Sequence, residues 1–299
     1  MSVRARKATG SPLSGGLGRR HRWSFRPVVI QAVLLLGALA FICPLLYELS
    51  AALRSEGSFV LHPSQLLPRP VTMVSFRQLF GAVDIPLEFA NSLIIVVIAV
   101  VGTVLSSAVV AYPLALMRFR GRSALTIGVL ATMMLPGQVL LIPQYVLFDK
   151  LGWVNTFLPL TVPAYFATSG FMVFLFRQGF RMIPMALVEA AKIDGAGHMT
   201  ILRRIVLPLS RSTFAVGTIL AAVGTYNDYM GPLIYLHSHY RWTAPLGIAY
   251  SATVVPGAAY AGPVEAAGTI LFVAPIAIFF IFAQRRLAQG VSLMGSPPQ

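Results

Sequence analysis

The chain has 299 residues, 57% of them hydrophobic and only 11% charged, with a net charge of +14 and a mean hydropathy of +0.76. A water-soluble domain carries about 25% charged residues, so this chain has under half the charge that a water-facing surface needs. That excludes a soluble protein, which the length alone would allow, and makes the chain an integral membrane protein.

The charge comes from 23 Lys and Arg against 9 Asp and Glu. In a soluble protein this balance would point to nucleic acid. Here the basic residues stand between apolar blocks, where they set membrane orientation, and no nucleic-acid partner is expected.

Residues 1–27 cluster Gly, Ser and Arg without an apolar period, and read as a disordered basic tail drawn to membrane lipid with anionic headgroups. Cys43 is the single cysteine, so no intrachain disulfide is possible. Ala38-Leu39-Ala40 ahead of it resembles a cleavage site. Ile42 is too bulky to precede a lipidated cysteine, and the apolar run continues, so no cleaved leader is expected.

Charge-free stretches give the expected spans. Arg26 and Glu48 enclose 21 uncharged residues, Glu88 and Arg118 enclose 29, and Arg122 and Asp149 enclose 26. Lys150 and Arg177 enclose another 26, and Glu265 and Arg285 enclose 19. A helix needs about 20 residues to cross the hydrocarbon, so each of the five can span. A sixth runs from about Ser212 to Tyr235, interrupted only by Asp228.

The expected boundaries are roughly 28–50, 89–115, 125–146, 157–176, 212–235 and 266–283, within a membrane domain at 28–283 followed by a tail at 284–299. The first outside loop, about Ala51 to Glu88, is long and rich in proline. Trp242 to Val264 is uncharged too, but Pro245, Pro256, Pro263 and its glycines fragment it into an outside loop with short helical pieces.

Lys and Arg divide 18 to 5 between the two sides of this topology. The richer side holds both termini, which places them in the cytoplasm. Arg118, Arg120 and Arg122 read as orientation charges, and Asn91 and Ser92 as capping or packing residues at the outer start of the second span.

Catalytic chemistry is missing. A phosphate-binding P-loop needs a lysine after a glycine, whereas Lys7, Lys150 and Lys192 follow Arg6, Asp149 and Ala191. The chain therefore does not hydrolyse ATP itself. His237 and His239 flank Ser238 without further ligands nearby, so no metal site is expected.

The most informative segment is 177–211, too long for a plain connector. Pro184 suits the first turn of a helix, Met185 to Ile193 are good helix formers, and Gly195 is placed to take the left-handed conformation that stops it. A second helix is expected from about Met199 toward Pro208. Leu187 or Val188 with Ala191 would give the first helix a small apolar face. That face could dock in a groove on another protein or lie on lipid, and the residues alone leave both open.

Glu189-Ala190-Ala191, then Gly195, then Ile205 with Leu207-Pro208, resembles the signature loop of the permease subunits of ABC importers. The resemblance implies a type-I importer core at about 86–283, with Glu189, Ala190, Ala191, Asp194 and Gly195 coupling it to a cytoplasmic ATPase dimer. Further segments resemble the carbohydrate importers. They include Leu116 to Arg122, Leu135-Pro136-Gly137-Gln138 with Ile142-Pro143, Leu151-Gly152-Trp153-Val154-Asn155-Thr156, Asp194-Gly195, and Gln284-Arg285-Arg286 with Gly290. Tyr226-Asn227-Asp228 with Pro232 is similar to that subfamily's Trp-Asn-Asp segment. Together they resemble the second permease of a maltose-type importer.

Three departures stand out. Ser210-Arg211-Ser212 lacks a common proline, Tyr226 replaces the tryptophan, and the tail ends in Leu293-Met294-Gly295-Ser296-Pro297-Pro298. The last two bear on the substrate and the tail contact.

Asp228 is the one acid well inside an expected span, about 26 Å beyond Arg211 at helical rise. An acid in a membrane helix faces a cavity or partner. Tyr226, Asn227 and Asp228 offer an aromatic face, an amide donor and acceptors to sugar hydroxyls. They are the substrate-path candidates, with helix packing or an outer gate as the alternative.

The expectation is an all-α polytopic membrane protein of a bacterial inner membrane. It has six transmembrane helices, cytoplasmic termini, and a coupling helix between spans four and five. Its implied partners are a second permease subunit, the ATPase dimer and an extracytoplasmic solute-binding protein. The chain would bind no cofactor, ATP and Mg belonging to the ATPase. The same machinery could carry glycerol phosphate, a polyol or another small solute. An ion-driven secondary carrier is the distant alternative, though such carriers bury ionisable groups in repeated halves.

Overall fold

The computed structural model describes residues 25–254 and 262–294, with side chains described from Val29 onward except at 279 and from 282. Every regular element among them is helical. Residues up to Leu45 form one unit, and those from Leu46 onward form a second.

Helix α1 (Phe25–Ala52) starts within the expected tail, so the boundary at 27 lies inside a helix. The rest of that tail lies outside the described residues. In the first unit the side chains of Leu34, Leu36 and Phe41 are exposed. A helix apolar all round, with its surface open, suits lipid rather than water.

In the second unit, α2 (Glu56–Leu61) and α3 (Val74–Ala82) occupy the long loop that follows α1. Arg54 organises that loop. It is fully buried and donates to the carbonyls of Ser58, His62 and Gln65 at 2.5–3.1 Å.

Helix α4 (Ile85–Leu116) is a long apolar element at this unit's centre, with Asp84 capping its first turn through the Leu87 amide. Then follow α5 (Arg122–Thr132), a 3-10 turn at Gly137–Leu140, and α6 (Leu141–Lys150). The expected span at 125–146 is a pair of helices bent by 90°. Pro136 is extended at the break, and a proline there cannot continue the hydrogen-bond ladder of α5.

The fourth span also begins irregularly, as α7 (Leu158–Thr161) and a 3-10 turn at Val162–Phe166, before α8 (Gly170–Arg181). Ala167 between them has φ +52. Ser106 of α4 holds this corner, its Oγ donating to the Ala164 carbonyl and accepting from the Ala167 amide.

Helices α9 (Met185–Ile193) and α10 (His198–Ile201), a π-helical turn at Leu202–Val206 and α11 (Leu207–Leu209) lead into α12 (Arg211–Tyr226). The run from His198 to Leu209 meets α12 at 81°. The expected span to Tyr235 ends early. α12 stops at Tyr226, and α13 (Met230–Tyr235) is a separate six-residue helix.

The expected loop at 242–264 contains α14 (Ala244–Val254), an eleven-residue helix. Pro245 sits in its first turn, where a missing N–H costs nothing. Residues 255–261 lie outside the described residues. Helix α15 (Gly262–Met294) runs past the expected end at 283 into the expected tail, and 295–299 lie outside the described residues.

Three helical segments are long and apolar enough to cross a membrane: Val29–Ala52, Ile85–Leu116 and Leu158–Arg181. Counting each bent pair as one span gives five among the described residues.

The main core lies between α4, α8, α9 and α12, with Phe176, Phe180, Val188 and Val206 fully buried. Close approach is set by small residues, as in membrane helix pairs. A Cβ on Gly217 of α12 would sit 2.8 Å from the Phe176 ring. A second core joins α3, the start of α4, α14 and α15 around Leu79, Ile85 and Ala267.

Candidate functional site

The segment 177–211 folds into a short exposed helix with a rigid corner. Pro184 stands just ahead of α9, outside the helical conformation, rather than within its first turn. The helix ends in a paired turn. The Ala196 amide donates to the Ala191 carbonyl at 2.9 Å, and the Gly195 amide to Lys192 at 3.0 Å. Gly195 has φ +80, the left-handed conformation that this turn requires and that glycine adopts without a Cβ penalty.

Five candidate residues share this corner. Glu189, Ala190, Asp194 and Gly195 are exposed, and Ala191 is half-buried. The apolar face expected from Leu187, Val188 and Ala191 divides, because helical spacing turns them different ways. Val188 is fully buried in the main core with Ala191 packed beside it, while Leu187 and Ile193 point outward. Beside α9 lies a recess of about 550 Å³, lined among others by Asp194, Gly195, Thr200 and Arg204. The result is a convex knob with small residues at its tip, an acid on its face, and mixed charge at its base.

The Leu116 end of α4 abuts this segment. Arg122 donates to the carbonyls of Leu114, Ala115 and Met117 at 2.9–3.1 Å, and Arg177 adds a bond to Leu114 at 3.2 Å. Arg122 is therefore more than an orientation charge. It satisfies carbonyls that the end of a helix leaves unpaired, where a cation also meets the favourable end of the helix dipole. Arg118 and Arg120 are exposed.

Of the three substrate-path candidates, the structure brings two together. Tyr226 and Asp228 line a small recess with Ser92 and Thr225, whereas Asn227 is exposed at the end of α12 and is not among that lining. Tyr226 stacks on Phe272 with ring centroids 4.6 Å apart, and its hydroxyl donates to the Phe272 carbonyl at 3.1 Å. Asp228 accepts the Gly231 amide at 3.0 Å, at the start of α13. It marks a break between helices rather than the inside of one. A larger apolar recess of about 280 Å³ opens between α4, α12 and α15, lined by Leu93, Val96, Val97, Ala222, Tyr226 and Pro275 among others.

Near Ile85, α4 carries a polar face that the sequence reading only half identified. Asn91 donates to the carbonyls of Tyr240 and Trp242 at 3.0 and 2.9 Å, and Ser92 accepts the Ala244 amide at 2.9 Å. Both pack against the chain entering α14; the cap of α4 is Asp84. Glu88, missed as a site residue, is 3% exposed and lies against Gly247. The signal was the spacing 88, 91, 92, which puts all three on one helix face.

Comparison with known proteins adds to this geometry. Residues 104–293 match the family model described as the inner membrane component of binding-protein-dependent transport systems. The arabinooligosaccharides transport system permease protein AraQ of Halalkalibacterium halodurans is 33% identical, covering 86% of this chain and 92% of that protein. The lactose transport system permease protein LacG of Rhizobium radiobacter is also 33% identical, over 71% of this chain and 76% of that one. The sn-glycerol-3-phosphate transport system permease protein UgpE of Brucella suis is 32% identical, over 70% and 77%.

Among solved structures, a bacterial ABC transporter involved in the import of the acidic polysaccharide alginate superposes with a TM-score of 0.72 at 22% identity. It covers 88% of this chain and 97% of that one, and shows the same fold. The matched region contains α9 and the helix breaks around it, and the chain belongs to the family of binding-protein-dependent transport system inner membrane components.

Proposed function

We propose that the chain is the permease subunit of an ATP-driven sugar importer, forming half of the solute path and coupling through α9 to a separate ATPase dimer. The observation that carries this reading is the α9 corner. It is a short helix anchored from beneath by Val188, with Glu189, Ala190, Asp194 and Gly195 exposed, closed by a turn that holds Gly195 left-handed. Small exposed residues on a rigid corner allow another protein to approach closely and push.

In this reading α9 and both termini face the cytoplasm, in line with the distribution of Lys and Arg, and six spans result once α15 is counted with the bent pairs. The chain binds no cofactor. ATP and Mg sit on the ATPase, and a second permease and an extracytoplasmic solute-binding protein complete the assembly. Tyr226 and Asp228 face the path, the first with an aromatic ring and the second with a carboxylate, groups suited to sugar hydroxyls.

A glycerol phosphate is the second reading, because UgpE proteins are among the relatives. A phosphate needs cationic donors, and the described residues lining the two recesses beside Tyr226 include no Lys or Arg. That supports an uncharged, hydroxyl-rich solute.

The test is to purify the tagged chain with its co-purifying proteins, reconstitute them, and measure ATP-dependent uptake of neutral oligosaccharides and of sn-glycerol-3-phosphate. Sugar uptake that requires ATP supports the proposal. Uptake driven by an ion gradient with no ATPase present would overturn it.

A further inference from the structure

We propose that the hydrogen bond between Tyr112 and His198 is a strut through which movement of the α9 corner tilts α4, making both of them positioning residues for transport. This rests on the coupling role proposed above for α9.

Tyr112 lies on α4, 5% exposed within the main core. Its hydroxyl is 3.1 Å from His198 Nδ1, and the two rings meet edge to face with centroids 6.1 Å apart. The hydroxyl donates to the ring nitrogen when that nitrogen is bare and accepts from it when it carries a proton, so the link survives either state. His198 opens α10, three residues beyond Gly195, and so sits on the far arm of the rigid corner. The core packing around Tyr112 is apolar and can slide, and His198 is exposed, whereas a hydrogen bond between them resists lateral displacement because its energy falls steeply with misalignment.

The position of this link on α4 gives it leverage. Pro113 follows Tyr112 directly. A proline inside a helix removes the rung to the carbonyl four residues before it, here Val109, and loosens the turn from 109 to 113. Beyond that point the last turn is held by Arg122 and Arg177 through the Leu114, Ala115 and Met117 carbonyls. The strut therefore attaches within the loosened turn, between the held end of α4 and its body.

That body lines the apolar recess with Leu93, Val96 and Val97, and at its other end grips the Tyr240–Ala244 segment through Asn91 and Ser92. One helix thus joins the coupling corner, the recess and the opposite face. A push on His198 reaches all three.

The experiment uses the full assembly in nanodiscs, with Cys43→Ser and spin labels on Ile94→Cys of α4 and Leu125→Cys of α5, both exposed positions. The probe is Mg-ATP with vanadate, and the readout is the change in distance between the labels. A nucleotide-dependent shift is expected in the parent protein. It should fall about threefold or more in Tyr112→Phe and His198→Leu, as loss of one net hydrogen bond allows. His198→Asn, whose amide reproduces the Nδ1 position, should restore it. The Tyr112→Phe, His198→Leu double variant should be no worse than either single one.

ATPase co-purification should be unchanged in every variant, which separates the strut from folding and docking. An undiminished shift in Tyr112→Phe, or no shift in the parent protein despite a bound ATPase, would overturn the strut alone. Absence of any co-purifying ATPase in the parent protein would overturn the coupling reading and the strut with it.

Discussion

The Ala196 amide donates to the Ala191 carbonyl across 2.9 Å, and that bond fixes the angle at which α9 leaves the body of the protein. It spans Gly195, whose φ is +80 and where an added Cβ would meet open space. The turn is closed by its own backbone bonds, and Glu189, Ala190, Asp194 and Gly195 stand exposed beside it.

Substitution at this corner should separate function from folding. A Cβ at Gly195 meets open space, so Gly195→Ala should cost only the torsional penalty of about 1–2 kcal/mol for a left-handed L-residue. Gly195→Trp and Glu189→Lys should abolish uptake while leaving membrane insertion intact, since both side chains project outward. Uptake assays paired with membrane fractionation check this.

Arg122 should matter through its hydrogen bonds rather than its charge. Arg122→Ala removes donors from three carbonyls and should lower stability by about 1–3 kcal/mol, seen as a fall in Tm in detergent. Arg122→Lys keeps the charge but cannot reproduce a planar fork, so its Tm should stay well below that of the parent protein.

Asn91→Leu should be among the more damaging substitutions away from α9. It leaves the carbonyls of Tyr240 and Trp242 without their donor, at a cost of about 1–3 kcal/mol for the buried Trp242 carbonyl left unpaired. Limited proteolysis should then show faster cleavage within 237–243.

Tyr226 and Asp228 can be divided between structure and solute. Tyr226→Phe loses the bond to the Phe272 carbonyl but keeps the stacked ring, so uptake should persist with a slightly lower Tm. Asp228→Asn keeps an acceptor for the Gly231 amide, so the fold should hold. If the carboxylate meets sugar hydroxyls, KM should rise about tenfold, the discrimination of one charged hydrogen bond, with little change in maximal rate. An unchanged KM would assign Asp228 to the start of α13 alone.

What could be read from the sequence followed the range of the interaction. The α9 helix and the Gly195 stop were legible because a proline ahead of a helix and a glycine behind it act through their own backbone torsions. The apolar stretches were legible as membrane helices, but their breaks were not. Pro136-Gly137 was noted for its resemblance, yet its local effect is to end α5 and turn the chain by 90°. Asp228 was weighed as an acid within a span, because a charge-free window shows length and not continuity.

Charge counting failed in a related way. It treats Arg54, Glu88 and Arg122 as solvated, whereas Arg54 and Glu88 are buried and Arg122 caps a helix. Arg122 could have been found, since a cation just past a helix end is a local signal. Arg54 could not, because its partners become its partners only when α2 and the following turn fold around its side chain.

The most direct test of the coupling account is a cross-link from the tip of α9. A chain carrying Cys43→Ser and Ala190→Cys, treated in native membranes with a short thiol-to-amine reagent, should give an adduct with a Walker-motif ATPase, identified by mass spectrometry. Gly195→Trp should abolish that adduct. A solitary chain in two mild detergents, with no ATPase adduct from position 190, would contradict the account.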